Sequence, residues 1–430
     1  MPAGAAPGAA AGVRAHDVVV FGASGFVGRL VAAHLAEHAP PDVRVALAGR
    51  DRARVEAVRA ALPPRAQEWP VLVADSGDPA SLAALAAATR VVVTTVGPYD
   101  GQGLPLVGAC AQAGTDYLDL TGEVLFMRDS IAAFDEVARD SGARIVHAAG
   151  FDSEPSDLGV LMLAEAVRGD GAGELGRTVL GVTGAKGGVS GGTVASMWGQ
   201  MDRMRASSDA ARAVADPYAL SPDRTAEPDR GDAADDERDG WGARWDDLLG
   251  RWVGPFVMAG VNTRVVRRSN ALAGYAYGRS LRYREVVALG RTAVWAPAAA
   301  ALSVGTAGLM LGASVRPVQS LMRRFTPSPG EGPSESARRE GWFTVEVHTR
   351  TTTGAHYRCD VVGVGDPGYQ ATSVMLGESA LTLLDPVSRS GSVAAGGRGG
   401  VLTPATALGL PLVKRLRAQG FTIEVRRLVG

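Results

Sequence analysis

Lysine is nearly missing from this chain: Lys186 and Lys414 are the only two, and all other basic side chains apart from histidine are arginine. Few positions can therefore supply a catalytic amine. The Tyr-x-x-x-Lys pair of a short-chain dehydrogenase is excluded, because Val182 and Leu410 stand four residues before the two lysines. Cysteine is as sparse. Cys110 and Cys359 cannot build a disulfide framework, and no Cys/His spacing of a metal site surrounds them, which fits a reducing compartment. No HExxH stretch occurs. Charge of one sign is not in excess either. With 44 basic and 45 acidic residues the net charge is −1, so no global basic field exists to hold nucleic acid. Residues 1–15 are Ala/Gly/Pro-rich and lack the apolar core of a secretory signal. They are expected to form a disordered tail on a cytoplasmic protein.

What is present is a globular mix, 46% apolar and 21% charged, in 430 residues, enough for two or three domains. The apolar run Asp17–Phe21 predicts a strand, and Phe26–His38 carries a helical pattern. Strands follow at 44–48, 71–74, 90–96, 117–120 and 143–149, with helical segments between them. This alternation predicts an α/β fold, a doubly wound parallel sheet over residues 16–150. After Gly150 the rhythm changes, and residues 151–400 are expected to form a second α/β domain for substrate and oligomerisation. Solvated loops are expected at 216–240, 326–340 and 388–400, from their charge, proline and glycine. Residues 401–430 read as a helix and a last strand.

Thr292–Val315 carries no charge over 24 residues, with arginines on both sides and a Gly308/Gly312 pair. Pro297 and the high alanine content argue against a membrane span. A helix lying on a membrane or lipid surface and a buried or dimer-forming helix remain open. Peripheral contact with the inner face of the plasma membrane and a homodimer are the corresponding expectations.

The chemistry is announced by Gly22-Ala23-Ser24-Gly25-Phe26-Val27-Gly28, directly after the first strand. Gly22 permits a tight turn, Gly25 lets backbone approach a pyrophosphate, and Gly28 lets the helix pack closely. The N–H groups at the helix start then face phosphate. The second strand ends in Arg50, where a guanidinium suits the 2′-phosphate of NADP; Asp51 keeps NAD open. Further polar residues gather at strand ends, where a doubly wound sheet binds its ligand. Asp75 and Ser76 are expected near adenine, and Val96, Gly97, Pro98 and Tyr99 near the nicotinamide. Tyr99, Tyr117, Lys186 and Asp119 are candidate catalytic residues, as donors or as partners that orient a donor. Asp119, Glu123 and Asp152 could orient a donor or exchange protons themselves. His147, inside an apolar strand, reads as structural. Arg264, Arg267 and Arg268 form a local basic cluster suited to an acidic carrier protein, or a solvated helix face.

The stretches GASGFVGRLVAAHLA, LAGR, TTVGPYDGQGLPLVGACAQAGTDYLDLTGE and HAAGFDSEPSDLG resemble saccharopine dehydrogenase-like oxidoreductases. KGGVSGGTVASM, FVMAGVNTRVVRRSNALAGYAYG, GDPGYQATSVMLGESAL and GGVLTPATALG are similar to its trans-acting enoyl reductase branch. The resemblance covers nearly all of the chain after residue 16. It implies an N-terminal NADP-binding Rossmann domain and a second α/β domain on a mixed sheet, with a C-terminal helix that returns to the first domain. It implies NADPH-dependent reduction of an enoyl or polyketide-type lipid intermediate, a lipid-like acyl substrate presented by a carrier protein. A C–N oxidoreductase acting on an amino acid or imine, and a non-catalytic NADP-binding, lipid-associated protein, are the alternatives. The blocks at 186–197 and 256–278, rich in Gly, Ser, Thr and Arg, are expected to floor the substrate site and to anchor a phosphopantetheine or carrier protein.

Overall fold

A computed structural model describes residues 14–188, 190–228, 242–314, 332–390 and 399–428. The expected tail over residues 1–13, and the parts of the three expected loops at 229–241, 326–331 and 391–398, lie outside the described residues.

Two seven-stranded sheets carry the molecule. The first is wholly parallel. Its strands are β1 (His16–Phe21), β2 (Val45–Gly49), β3 (Val71–Val73), β4 (Thr89–Thr94), β5 (Asp116–Leu118), β6 (Arg144–Val146) and β13 (Gly400–Leu402). Their order is β13-β6-β5-β4-β1-β2-β3, so the chain winds one way from β1 to β3 and the other way from β4 onward. Buried valines dominate β1 and β4, as a sheet covered on both faces requires. Helices α1 (Phe26–His38), α2 (Arg52–Ala60), α3 (Pro79–Ala88), α4 (Leu104–Ala113) and α5 (Val124–Ser141) link the strands. Asp51 and Asp78 cap α2 and α3 by accepting backbone N–H bonds. Gly114 and Gly142 end α4 and α5 in left-handed conformations.

The second sheet is mixed. It holds β7 (Leu175–Lys186), β8 (Arg244–Asp246), β9 (Arg251–Pro255), β10 (Arg282–Ala288), β11 (Trp342–Thr351), β12 (His356–Val364) and β14 (Thr422–Leu428) in the order β14-β12-β11-β7-β10-β9-β8. Only β7 and β10 run parallel. Helix α6 (Glu154–Gly169) lies against β11, β12 and β14, and one apolar core runs from Val18 and Leu47 to Val347 and Tyr357. The two sheets therefore share their interior.

The carboxyl-terminal part of the chain is divided between the sheets. Strand β13 extends the first sheet beside β6, whereas β14 closes the second beside β12. With α7 (Gly191–Ala206), α8 (Ala259–Leu272) and α9 (Ala296–Ser314) lying between, α10 (Thr372–Leu384) covers the first sheet against α1, β4 and β5, and α11 (Gly409–Ala418) packs on α10. A buried contact locks this return: His34 Nε2 of α1 lies 2.9 Å from Glu378 Oε1 of α10, and Gln419 Nε2 donates to the same oxygen.

Two expectations are corrected. The basic cluster on α8 is neither solvated nor free for a carrier: Arg264, Arg267 and Arg268 are buried and donate to the carbonyls of Val214, Pro217, Tyr283, Leu220 and Val401. Two of these targets, the Pro217 and Leu220 carbonyls, lie in the irregular stretch that follows residue 215. For the same reason residues 216–220, the start of the expected 216–240 loop, are packed, whereas Pro222, Asp223, Thr225, Ala226 and Pro228 are exposed as expected. Asp216, Tyr218 and Leu220 are buried, and the Arg267 guanidinium lies 5.3 Å from the Tyr218 ring centre.

Candidate active site

The strand order reverses between β1 and β4, and a cleft of about 480 Å³ opens there at the carboxyl ends of the strands. Its floor is the turn from β1 into α1. Gly22 adopts φ +87°, and its N–H and that of Ala23 donate to the Ala48 carbonyl, tying the turn to β2. Gly25 precedes α1 with its N–H turned back to the Gly22 carbonyl. Gly22, Ser24, Gly25, Phe26 and Val27 face the cleft. Ala23 and Gly28 are buried behind it and shape the turn. The first turn of α1 thus presents its positive dipole end to whatever lies in the cleft.

Gly49 and Arg50 follow β2 at one side of the cleft, and Asp75 and Ser76 follow β3 beside them. The Arg50 side chain is exposed there, while the Asp51 carboxylate is held by the Arg54 N–H as a helix cap. The Arg50 guanidinium is therefore available at this side of the cleft, whereas the Asp51 carboxylate is committed to the helix cap. The glycine cradle, the helix start and this arginine together fit NADP(H).

Toward β4, β5 and β6 the cleft is lined by Val96, Gly97, Pro98, Tyr99, Leu120, Gly122, Ala148, Gly150, Phe151 and Asp152. The second part of the chain supplies the facing wall: Ser190 to Thr193, Ala195 and Ser196 from the start of α7, and Tyr369 and Thr372. The Phe26 ring meets Tyr369 edge-on at 4.8 Å. The wall is bonded to the first sheet, since Ser196 Oγ donates to Glu123 Oε1 at 2.5 Å and Arg203 bridges Asp100 and Asp129. Residues 188–192 also spell Gly-x-Ser-x-Gly between a strand and a helix. Ser190 Oγ nevertheless accepts the Thr193 N–H as the cap of α7, and no histidine lines the cleft among the described residues.

Of the four candidate catalytic residues, the structure brings only Tyr99 to the cleft. Its phenol is 5% exposed; it donates to the Thr94 carbonyl at 3.2 Å and accepts the Leu120 N–H at 3.3 Å. Burial, then the Asp119 charge, holds it protonated well above the usual tyrosine range. Tyr117 and Asp119 lie in the wall behind it. Tyr117 Oη donates to Asp119 Oδ2 at 3.0 Å, and His147 Nδ1 lies 2.7 Å from the same oxygen. Lys186 does not line the cleft: it ends β7 at the surface, 55% exposed and paired with Glu340 at 3.0 Å. The last two residues of β7, Ala185 and Lys186, are both exposed, because the strand runs out beyond the packed interior there. The sequence names Asp152 among the groups that could orient a donor or exchange protons, but does not single out Tyr369; of the two blocks expected to floor the substrate site, 186–197 lines the cleft through Ser190 to Ser196 and 256–278 does not. The clue to Asp152 was its place after β6, at the carboxyl edge of the parallel sheet.

A switch-point cleft with a glycine cradle and an arginine after the second strand is the arrangement of an NADP(H)-dependent oxidoreductase. Residues 18–146 match the family model of the saccharopine dehydrogenase NADP binding domain. The chain is 49% identical over 421 residues to a putative trans-acting enoyl reductase of Mycobacterium tuberculosis, covering 97% of this chain and 99% of that one. It is 45% identical over 420 residues to a trans-acting enoyl reductase of Mycobacterium bovis, covering 96% and 99%. Among solved structures, saccharopine dehydrogenase (L-Glu forming) of Saccharomyces cerevisiae shares the fold, with a TM-score of 0.53 at 13% identity over 96% of this chain and 100% of that one. The protein belongs to the trans-acting enoyl reductase family.

Proposed function

We propose that this protein reduces the carbon–carbon double bond of an enoyl thioester, on an acyl chain of polyketide or lipid type presented by a separate carrier protein. The observation that carries the reading is near full-length relationship to proteins named trans-acting enoyl reductases, joined to a cleft that fits NADP(H). Bound NADPH supplies the hydride. The turn at Gly22–Gly25 and the start of α1 would hold its pyrophosphate, and Arg50 would hold its 2′-phosphate. Phe26, Phe151 and Tyr369 narrow the water-accessible space, which strengthens every electrostatic contact inside. Purified protein is expected to oxidise NADPH with an enoyl thioester and leave an imine untouched. Oxidation with the imine alone would transfer the reading to C–N chemistry, and binding without oxidation of either would leave a non-catalytic protein.

A lipid surface is the second partner we propose, met from the cytoplasmic side. Residues 293–312 have a mean hydropathy of 1.5, yet only 11% of their most apolar stretch is buried. Val294, Val304 and Leu311 are 83%, 73% and 71% exposed, while Ala299 and Leu302 rest over Gly254 of β9. From Val286 to Gly330 the sequence has no acidic residue and four arginines, complementary to anionic headgroups. Strands β10 and β11 flank the segment within one sheet, so the chain leaves and returns on the same side, as a helix lying in the interface requires. The protein is expected to float with anionic phospholipid vesicles. Replacing Val304 and Leu311 together by Glu should lower that binding roughly tenfold or more. A dimer that the same variant dissociates, without vesicle binding by the parent, would instead assign the helix to a second copy of the chain.

A further inference from the structure

Reduction of an enoyl thioester needs a proton at the α-carbon, and neither Tyr117, Asp119 nor Lys186 lines the cleft to deliver it. Among the described residues the ionisable side chains that line it are Arg50, Asp75, Tyr99, Asp152 and Tyr369. Arg50 and Asp75 follow β2 and β3, on the far side of the strand-order reversal from β5 and β6. The Tyr99 hydroxyl is spent on the Thr94 carbonyl. The Tyr369 hydroxyl accepts the Gly191 N–H at 3.3 Å, and burial raises it above the usual tyrosine range.

Asp152 differs from all four. It follows β6, half-buried, between the first sheet and the start of α7, and its neighbours along the cleft are Phe151, Ser190 and Thr193. The Thr193 hydroxyl donates toward its Oδ2 at 3.5 Å, a long and weak bond. Resting on the reading of the protein as an enoyl reductase, we propose that the Asp152 carboxyl is the catalytic acid that protonates the α-carbon. Once the β-carbon has gained hydride, the electron pair of the double bond lies on the thioester oxygen as an enolate. The enolate collapses, the α-carbon forms a C–H bond, and the Asp152 O–H bond breaks to leave a carboxylate. Water returns the proton before the next turnover. Desolvation pushes the Asp152 carboxyl up to about 6, against the Thr193 hydroxyl bond, and no charged side chain among the described residues contributes to that shift. At pH 7 the acid form is then a minor species, roughly a tenth of the population, and it rises to about half near pH 6, the form that proton delivery draws on.

Asp152→Asn tests this. The variant should bind NADPH within about twofold of the parent, showing a folded cleft, and lose turnover of an enoyl thioester by about 10²–10⁴-fold, the usual worth of a positioned acid. The parent's rate should fall as pH rises through the Asp152 titration, and that limb should vanish in the variant. Asp152→Glu, which restores an acid, should recover about tenfold or more over Asn. Independently of turnover, infrared difference spectra of the cofactor-free protein should show a protonated carboxyl band that titrates near pH 6 and is lost in Asp152→Asn. A parent that turns over an enoyl thioester beside an Asn variant of equal rate overturns the assignment of the acid alone. A parent that binds NADPH but reduces no enoyl thioester overturns the functional reading, and the assignment with it.

Discussion

Replacing Gly22 or Gly28 by Val is expected to remove NADPH binding, a loss of at least roughly 100-fold, whereas Arg50→Ala should merely lower it toward the affinity for NADH. The two glycines fail for different reasons. Gly22 sits at φ +87°, where a side chain is strained, and a Cβ there would lie 2.8 Å from both Thr95 Oγ1 and Val96 Cγ2. A strained backbone of this kind costs on the order of 1–3 kcal/mol before any clash. At Gly28 the conformation is ordinary, but a Cβ would lie 2.2 Å from the Gly22 carbonyl oxygen. Helix α1 would have to retreat from the turn, carrying its N–H groups away from the pyrophosphate. Arg50 lies outside this close packing, exposed at the edge of the cleft after β2. Its loss removes charge-assisted bonds worth about 1.5–3 kcal/mol, or roughly 10–100-fold. Calorimetric titration of the three variants with NADPH and NADH decides the matter. Equal losses for both nucleotides in Arg50→Ala would detach the arginine from the 2′-phosphate.

Asp119→Ala should destabilise the protein by about 3–5 kcal/mol, measured by denaturant unfolding, and take the active cleft with it. Its carboxylate is fully buried and serves four partners. Oδ2 meets His147 Nδ1 at 2.7 Å and the Tyr117 hydroxyl at 3.0 Å; Oδ1 accepts the N–H groups of Thr121 at 3.0 Å and Ala148 at 3.1 Å. His147 Nε2 continues the network to Ser130 Oγ at 2.8 Å. One side chain thus fixes the chain leaving β5 and β6, including Ala148 at φ +58°, which lines the cleft. Asp119→Asn retains an acceptor and should lose less stability than Ala. A scaffold role predicts that turnover and stability fall together across the two variants. Turnover abolished in Asn with stability unchanged would show instead that the carboxylate takes part in proton transfer.

The first sheet was legible because its signals are local. A strand such as Asp17–Phe21, its glycine turn and the following helical pattern lie within about 20 residues, and the alternation repeats through β6. The cofactor cradle sits inside that local unit, so Gly22, Ser24, Gly25 and Arg50 could be placed at the cleft from their order alone. The candidate acids were harder, because a strand-end position does not say which way a side chain points. Tyr99 reaches the cleft with its hydroxyl already committed, Tyr117 points into the core, and Lys186 into solvent.

The sequence by itself determined the α/β class, the NADP(H) cofactor and the family, since each rests on residues close in the chain or on long motif identity. The tertiary structure alone decided that β13 joins the first sheet, that α10 covers it, and that α7 walls the cleft beside Asp152. It also decided that three arginines on α8 are buried and that the apolar helix α9 is bare. Those outcomes depend on which surfaces meet across hundreds of residues and on whether a carbonyl or a hydrocarbon finds a partner there, a competition that composition and periodicity do not record.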